Sequence, residues 1–293
     1  MYAIENYKGT TPFNEQYDEI YEFLLRASDR GLNEHFHRGR FEWMMDSGYL
    51  AEDKLTTIAM FRNSGGGIVG LVTYDTGWHD RTYLIHSEND KELLKEMVAY
   101  VLRTDEQPMI KVNSLDAPLC EVLREMGFEK KHTNDHVLQI ALDRDLHYNI
   151  PEGYKVGGME LGFDLWKCQL VLHKGFDHED EGLPQPLDPD TFVLTPHADR
   201  ALKVFAMDET EYCAHCGLWY TKGETAYIEP VVTIPRCRRL GLGRAVIYEA
   251  ISRAKRLGAK RAVVLSQQEF YHRIGLEYSS EFCTWEPKAG NFL

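Results

Sequence analysis

The stretch from Ala226 to Gly258, AYIEPVVTIPRCRRLGLGRAVIYEAISRAKRLG, constrains this chain more than any other. It reads as a strand, an anion-binding turn and a helix. Ala226 to Thr233 is apolar and β-branched enough for a buried strand. Pro230 inside it has no N–H for a ladder, which predicts a bulge or a splayed edge there. The helix repeats apolar positions at Val246, Ile247, Ala250, Ile251, Ala254 and Leu257 and stops at Gly258. Between strand and helix lie Arg238, Arg239, Leu240, Gly241, Leu242, Gly243 and Arg244. Two glycines flanked by arginines let the backbone approach a phosphate closely while free N–H groups and the helix dipole face it. The turn is therefore expected to bind a pyrophosphate.

A dinucleotide-binding turn would carry three glycines, few charges and an acidic residue about 20 residues further on. Here arginines crowd the turn instead. The pattern R-x-x-G-x-G from Arg238 to Gly243, preceded by V-x-x-P, resembles the acyl-coenzyme A loop of the GNAT N-acetyltransferase superfamily. A strand, Arg261 to Ser266, follows the helix, and then Phe270-Tyr271-His272-Arg273-Ile274-Gly275-Leu276, which resembles the family's F-Y-x-x-x-G-F signature with Leu276 in place of Phe. Two ordered motifs carry more weight than one, and they disfavour an ordinary glycine turn with solvated arginines.

The resemblance implies a mixed α/β fold and acetyl-coenzyme A as co-substrate. By position in the motif, backbone amides of Val231, Val232 and Thr233 would hold the pantetheine arm and the thioester carbonyl, and Arg238 to Arg244 would bind the pyrophosphate. Tyr271 falls where the family's tyrosine protonates the leaving thiolate; a phenol near pKa ~10 is a reasonable acid for a thiolate whose thiol is near ~8.5. Glu229 falls where the family often places a base, acting directly or through water; a strand glutamate paired with an arginine is the other reading. The family's asparagine after the following strand is missing from Ser266-Gln267-Gln268-Glu269, so Ser266 or Gln268 would have to make its cofactor contacts.

The 293 residues suit two domains of ~150 each. No apolar run approaches the ~20 residues a membrane helix requires, and the first residues lack the basic and apolar regions of a signal peptide, so a cytoplasmic protein without a membrane partner is expected. A net charge of −13 argues against nucleic acid, which needs a concentrated basic surface, and favours a cationic small acceptor. The six cysteines suggest no disulfide framework. Cys213-Ala214-His215-Cys216 is half of a zinc site without a second pair, so no metal is expected.

Taken in order, residues 13–29 carry Tyr17, Ile20, Tyr21, Leu24 and Leu25 on one helical face, and a second helix is expected to hold Phe36, Phe41, Trp43 and Met44. His35 and His37 beside it read as packing or capping residues. A hairpin (Leu55 to Phe61 and Ile68 to Tyr74), a strand (Thr82 to His86), a helix (Glu92 to Leu102), a strand (Met109 to Val112), a helix (Ala117 to Met126) and a strand (Val137 to Ala141) follow. The same order is expected to recur after the linker Asp143 to Gly153, with Tyr154 to Met159, Asp164 to Lys174, Ala201 to Met207 and Tyr212 to Tyr220 leading into the organising stretch. The acidic, proline-bearing stretch His178 to Pro189 reads as a solvated surface, with a substrate lid as the alternative.

Aligning the copies places Ser87-Glu88-Asn89-Asp90 where the second has its arginines and glycines, and two carboxylates there would repel a pyrophosphate. The expectation is a degenerate GNAT-like module at 1–146 and a catalytic one at 147–293, acting as monomer or homodimer. The expected activity is acetyl transfer to a primary amine of a small, cationic acceptor. A non-catalytic acyl-coenzyme A sensor and a scaffold are the alternatives.

Overall fold

The computed structural model describes residues 2–9, 12–28, 38–46, 50–75, 82–190 and 192–288. His35, His37 and Phe36 lie outside them. The chain forms two compact units that are not consecutive halves: one comprises Met1–Leu138, Leu265–Glu269 and Tyr278–Leu293, the other Gln139–Val264 and Phe270–Glu277.

In the first unit, β1 (Ala3–Asn6), β2 (Ala59–Arg62), β3 (Ile68–Tyr74), β4 (Thr82–His86) and β5 (Ile110–Asn113) lie side by side, and the last strand of the chain, β12 (Glu277–Pro287), follows β5. All neighbours are antiparallel except β4 and β5. Phe282 stands opposite Asn113 and Trp285 opposite Ile110. Helix α1 (Glu15–Ser28) buries Tyr17, Ile20, Tyr21, Leu24 and Leu25, the stripe its apolar spacing predicts, and α2 (Arg38–Asp46) buries Phe41 and Met44. On α3 (Lys91–Thr104) and α4 (Ala117–Glu125), Leu93, Leu94, Met97, Val98, Leu119 and Val122 join Cys283 and Trp285 of β12 in one apolar cluster. The first part of β6 (Phe128–Ala141) completes the unit.

The second unit repeats this plan. The strands β7 (Lys155–Gly158), β8 (Lys203–Met207), β9 (Tyr212–Trp219) and β10 (Thr225–Thr233) pair antiparallel in sequence, and β11 (Arg261–Leu265) pairs parallel to β10. Helix α6 (Leu242–Leu257) makes the crossover between β10 and β11, as α3 does between β4 and β5. One difference from the expected repeat stands out. Among the described residues of the second unit, one α-helix, α5 (Leu165–Gly175), precedes β8. Pro184, Pro186 and Pro189 in the stretch after it remove backbone donors and disfavour helix at the residues before them. Among the described residues no helix is long and apolar enough to cross a membrane.

Candidate active site

The hydrogen-bonded ladder between β10 and β9 slips by one residue. Tyr227 faces Trp219 and Ile228 faces Leu218, but Val231 faces Cys216 and Thr233 faces Ala214. The extra residue sits at Glu229-Pro230, whose peptide bond is cis. Because proline cannot donate, the strand bulges where the sequence predicts. Opposite the bulge is Gly217, and a Cβ there would lie 2.4 Å from the Glu229 carbonyl oxygen and 2.7 Å from Pro230 Cδ, so only glycine lets β9 run this close. The indole N–H of Trp219 donates to the same carbonyl at 2.9 Å and holds the bulge in place.

On its other edge β10 pairs with β11 only through Thr225, Ala226 and Tyr227. From Ile228 onward the two strands part. Val231, Val232 and Thr233 are thus bound to β9 on one side and leave the opposite edge open, the splayed geometry needed for backbone contacts to a bound chain.

Past the splay, a short 3₁₀ turn at Pro235–Cys237 leads into the arginine–glycine turn. Arg239 and Gly241 both adopt left-handed backbone, φ 65° and 83°. For the arginine this is an uncommon conformation, held by its surroundings and of the kind found at ligand-binding turns. Gly241 caps α6, and no side chain caps with it. Ala245 is the first residue of the helix whose N–H finds an acceptor, the Gly241 carbonyl at 3.0 Å. The six successive N–H groups from Arg239 to Arg244 donate to nothing among the described residues. Such a run, at the positive end of a 16-residue helix, is a ready anion site. Leu242 is fully buried and Leu240 42% exposed, so of these two leucines the former contributes only its backbone. Gly243 faces the Thr233 hydroxyl and the Phe270 ring, where a Cβ would lie 3.1 and 3.3 Å away. Arg239 and Arg244 are exposed.

Arg238 is placed differently. Its guanidinium donates to the Thr233 carbonyl at 3.1 Å, the Gly175 carbonyl at 3.3 Å and Asp177 Oδ1 at 2.7 Å, tying the end of α5 to the turn. The ion pair is largely solvated and contributes at most ~1 kcal/mol. Arg236 is likewise engaged, with Asp208 and Glu211.

Tyr271 lies on the short helix α7 (Glu269–Arg273) and is 6% exposed. Among the described residues its hydroxyl has no hydrogen-bond partner. Burial, with smaller electrostatic contributions from Cys216 and Glu229, holds the phenol above its ordinary value, so it keeps its proton. The Glu229 carboxylate accepts a hydrogen bond from the Tyr227 hydroxyl at 2.5 Å. Tyr227 and Trp219 were not singled out by the motifs: a strand period of two puts Tyr227 beside Glu229, but counting back across the Thr221 to Glu224 turn would set Trp219 opposite Ala226, one residue from its actual partner Tyr227. Ser266 and Gln268 belong to the segment Leu265–Glu269 of the first unit, where the Ser266 hydroxyl accepts from the Gln268 N–H at 3.1 Å.

At the corresponding place in the first unit, Asp90 caps α3 and accepts from the N–H groups of Glu92 and Leu93 at 2.8 and 3.3 Å, while Tyr2 donates to its other oxygen at 2.7 Å. A carboxylate of the chain already occupies the helix end there.

Residues 169–276 match the model of the acetyltransferase (GNAT) family. Over those residues the chain is similar to that family. The match begins on α5 and ends just after α7, so it spans the splayed strand, the bare turn and Tyr271. Solved structures with the same fold include a GCN5-related N-acetyltransferase from Sphaerobacter thermophilus (12% identity, 97% of this chain and 95% of that one, TM-score 0.56). A tandem GNAT protein from the clavulanic acid biosynthesis pathway is similar over 99% of this chain and 100% of its own (11% identity, TM-score 0.56). L-PGS from Bacillus licheniformis is similar over 97% and 95% (11% identity, TM-score 0.58). At these identities the likeness shows the fold, and it runs through both units. No curated protein matches the chain. The match supports acyl transfer as a general chemistry, and among the described residues no three His, Cys, Asp or Glu side chains gather where they could hold a metal ion.

One buried group beside this site carries a pH signature. His215 on β9 donates from Nδ1 to the Val204 carbonyl at 3.0 Å and stacks on Phe205 at 4.3 Å. Burial, and then the charge of Lys203, lowers its pKa to about 3. The unfolded chain, near ~6.5, therefore binds a proton in the window between those values that the native chain does not, and stability falls as pH drops through it. Urea unfolding at pH 7 and 4.5 should show a loss that is smaller by ~2 kcal/mol in His215→Leu than in the wild type.

Proposed function

We propose that the second unit transfers an acetyl group from acetyl-coenzyme A to a primary amine of a small, cationic acceptor, and that the first unit is a related module that does not bind the cofactor. The run of bare N–H groups from Arg239 to Arg244 carries this reading. It offers a pyrophosphate six donors and a helix dipole without displacing any bond among the described residues. The first unit's equivalent is closed by Asp90, which supports a division of labour between the units.

When bound, the thioester supplies the activated acetyl group. The open edge of Val231 to Thr233 would orient its arm and present N–H groups to the carbonyl oxygen as charge develops there. Tyr271 holds a proton on an otherwise unpartnered hydroxyl and would give it to the departing sulfur. Glu229, on the bulge, would accept the ammonium proton directly or through a water; its hydrogen bond to Tyr227 fixes the carboxylate's direction. Freeing an amine of pKa ~10 at neutral pH costs about 4 kcal/mol, which is why a positioned base matters.

A calorimetric titration of acetyl-coenzyme A into the protein, followed by coenzyme A release over a panel of amines, tests the proposal. Micromolar binding and thiol release with a polyamine or amino-sugar acceptor is expected. Absence of binding would sink the transferase reading and leave a scaffold.

A further inference from the structure

The second unit has a cavity of about 520 Å³ far along α6 from the bare turn, between the outer face of that helix and residues 142–148. Leu146, half-buried, gives it an apolar wall, backed by the buried side chains of Leu142 and Ile251. Its rim is charged, and the charges divide into two kinds. Lys255 is bonded to Asp145 and to the Arg144 carbonyl, each at 3.0 Å; Glu249 is bonded to Arg253 at 2.8 Å and to the Tyr148 hydroxyl at 2.8 Å. These groups satisfy one another. The guanidinium groups of Arg144 and Arg256 take part in no ion pair or hydrogen bond among the described residues, although Arg256 is near enough to Glu249 to help lower that carboxyl's pKa; both line the cavity.

Two unmatched guanidinium groups beside an apolar wall are unusual on a chain of net charge −13, where carboxylates to pair with are plentiful. A guanidinium presents its donors as a fork that fits a phosphate or carboxylate on two atoms at once. The volume lies within the range of small-molecule sites, ~300 to 1,000 Å³. A neighbouring cavity of about 670 Å³ shares Arg144, but its other two cations are engaged: Lys260 is paired with Glu224 and Arg261 donates to the Thr225 hydroxyl at 2.8 Å.

We infer that the α6 cavity is a second ligand site, separate from the acyl-transfer site, that takes a small organic anion: a phosphate or carboxylate head held by Arg144 and Arg256 and an apolar body resting on Leu146. The inference does not depend on the proposed transferase activity. Neither guanidinium is bonded to a described residue, so replacing them leaves no group there orphaned and should not disturb folding.

Octyl phosphate is the probe, titrated by calorimetry below its micellar concentration, with octanol, octylammonium and inorganic phosphate beside it. The expected result is binding of octyl phosphate at least tenfold tighter than any of the three, retained in Gly241→Glu and weakened at least tenfold in the Arg144→Gln/Arg256→Gln pair. Ser252→Phe, which fills the cavity without changing its charge, should weaken it as well. Octanoate in place of octyl phosphate tells which head group is preferred, and tighter binding of either anion satisfies the inference. Equal affinity for octanol and octyl phosphate, no binding at all, or binding that survives the double arginine variant would overturn it. Loss of binding in Gly241→Glu with retention in the arginine variant would place the anion at the bare turn and overturn it equally.

Discussion

Gly241→Glu should weaken acetyl-coenzyme A binding by about 100-fold or more, a loss of ~3 kcal/mol, while the protein stays folded. Two effects add. Gly241 has φ 83°, a conformation that costs a residue with a Cβ roughly 1–2 kcal/mol. The new carboxylate would also stand among the N–H groups of Arg239 to Arg244 and compete with a pyrophosphate for them, a like-charge contact that at ~4 Å and an effective dielectric near ~20 opposes binding by about 4 kcal/mol. Space is not the difficulty, since nothing lies within 4 Å of where the Cβ would be. Circular dichroism and the urea midpoint should therefore change little, by ~1–2 kcal/mol at most. A variant that binds acetyl-coenzyme A as the wild type does would remove the turn from the site.

Replacing Tyr271 with phenylalanine should lower kcat by about 10²- to 10⁴-fold and leave the affinity for acetyl-coenzyme A within a factor of two. Among the described residues the phenol oxygen has no partner, so its removal orphans nothing there and the ring continues to pack. The same residue sets an expectation for pH. Deprotonated, the phenol has nothing to donate, but its pKa is raised above its ordinary value near ~10, so the proton is retained through that pH. The rate should rise as the acceptor amine loses its proton and should show no fall up to pH ~10. An alkaline fall centred near pH 9 would point to another acid. Binding of acetyl-coenzyme A without turnover in either wild type or Tyr271→Phe would identify a sensor.

The central motif was legible because its determinants are local. A proline in a β-branched strand, two glycines among arginines and a 3.6-residue apolar repeat all lie between Ala226 and Gly258, and each acts on its own stretch of backbone. The structure has β10, the bulge at Glu229-Pro230 and α6 at those places. The stripes of α1 and α3 followed for the same reason.

What the local signals did not contain is which distant segments meet. The strand Glu277–Pro287 alternates well enough to be a strand, but its pairing with β5, some 170 residues earlier, is a choice among many edges that only packing resolves, and that pairing puts the end of the chain in the first unit. Arg238 sits in the loop motif like its neighbours, yet its side chain reaches Asp177 and the end of α5, because a long flexible cation takes whichever acceptors the tertiary structure brings near. The two unmatched arginines of the α6 cavity are 112 positions apart and invisible as a pair in the sequence. Sequence alone determined the strand, the turn and the helix, since backbone preference and apolar period are properties of neighbouring residues. The tertiary structure decided where the side chains' charges and the last strand go, since those depend on contacts between residues far apart in the chain.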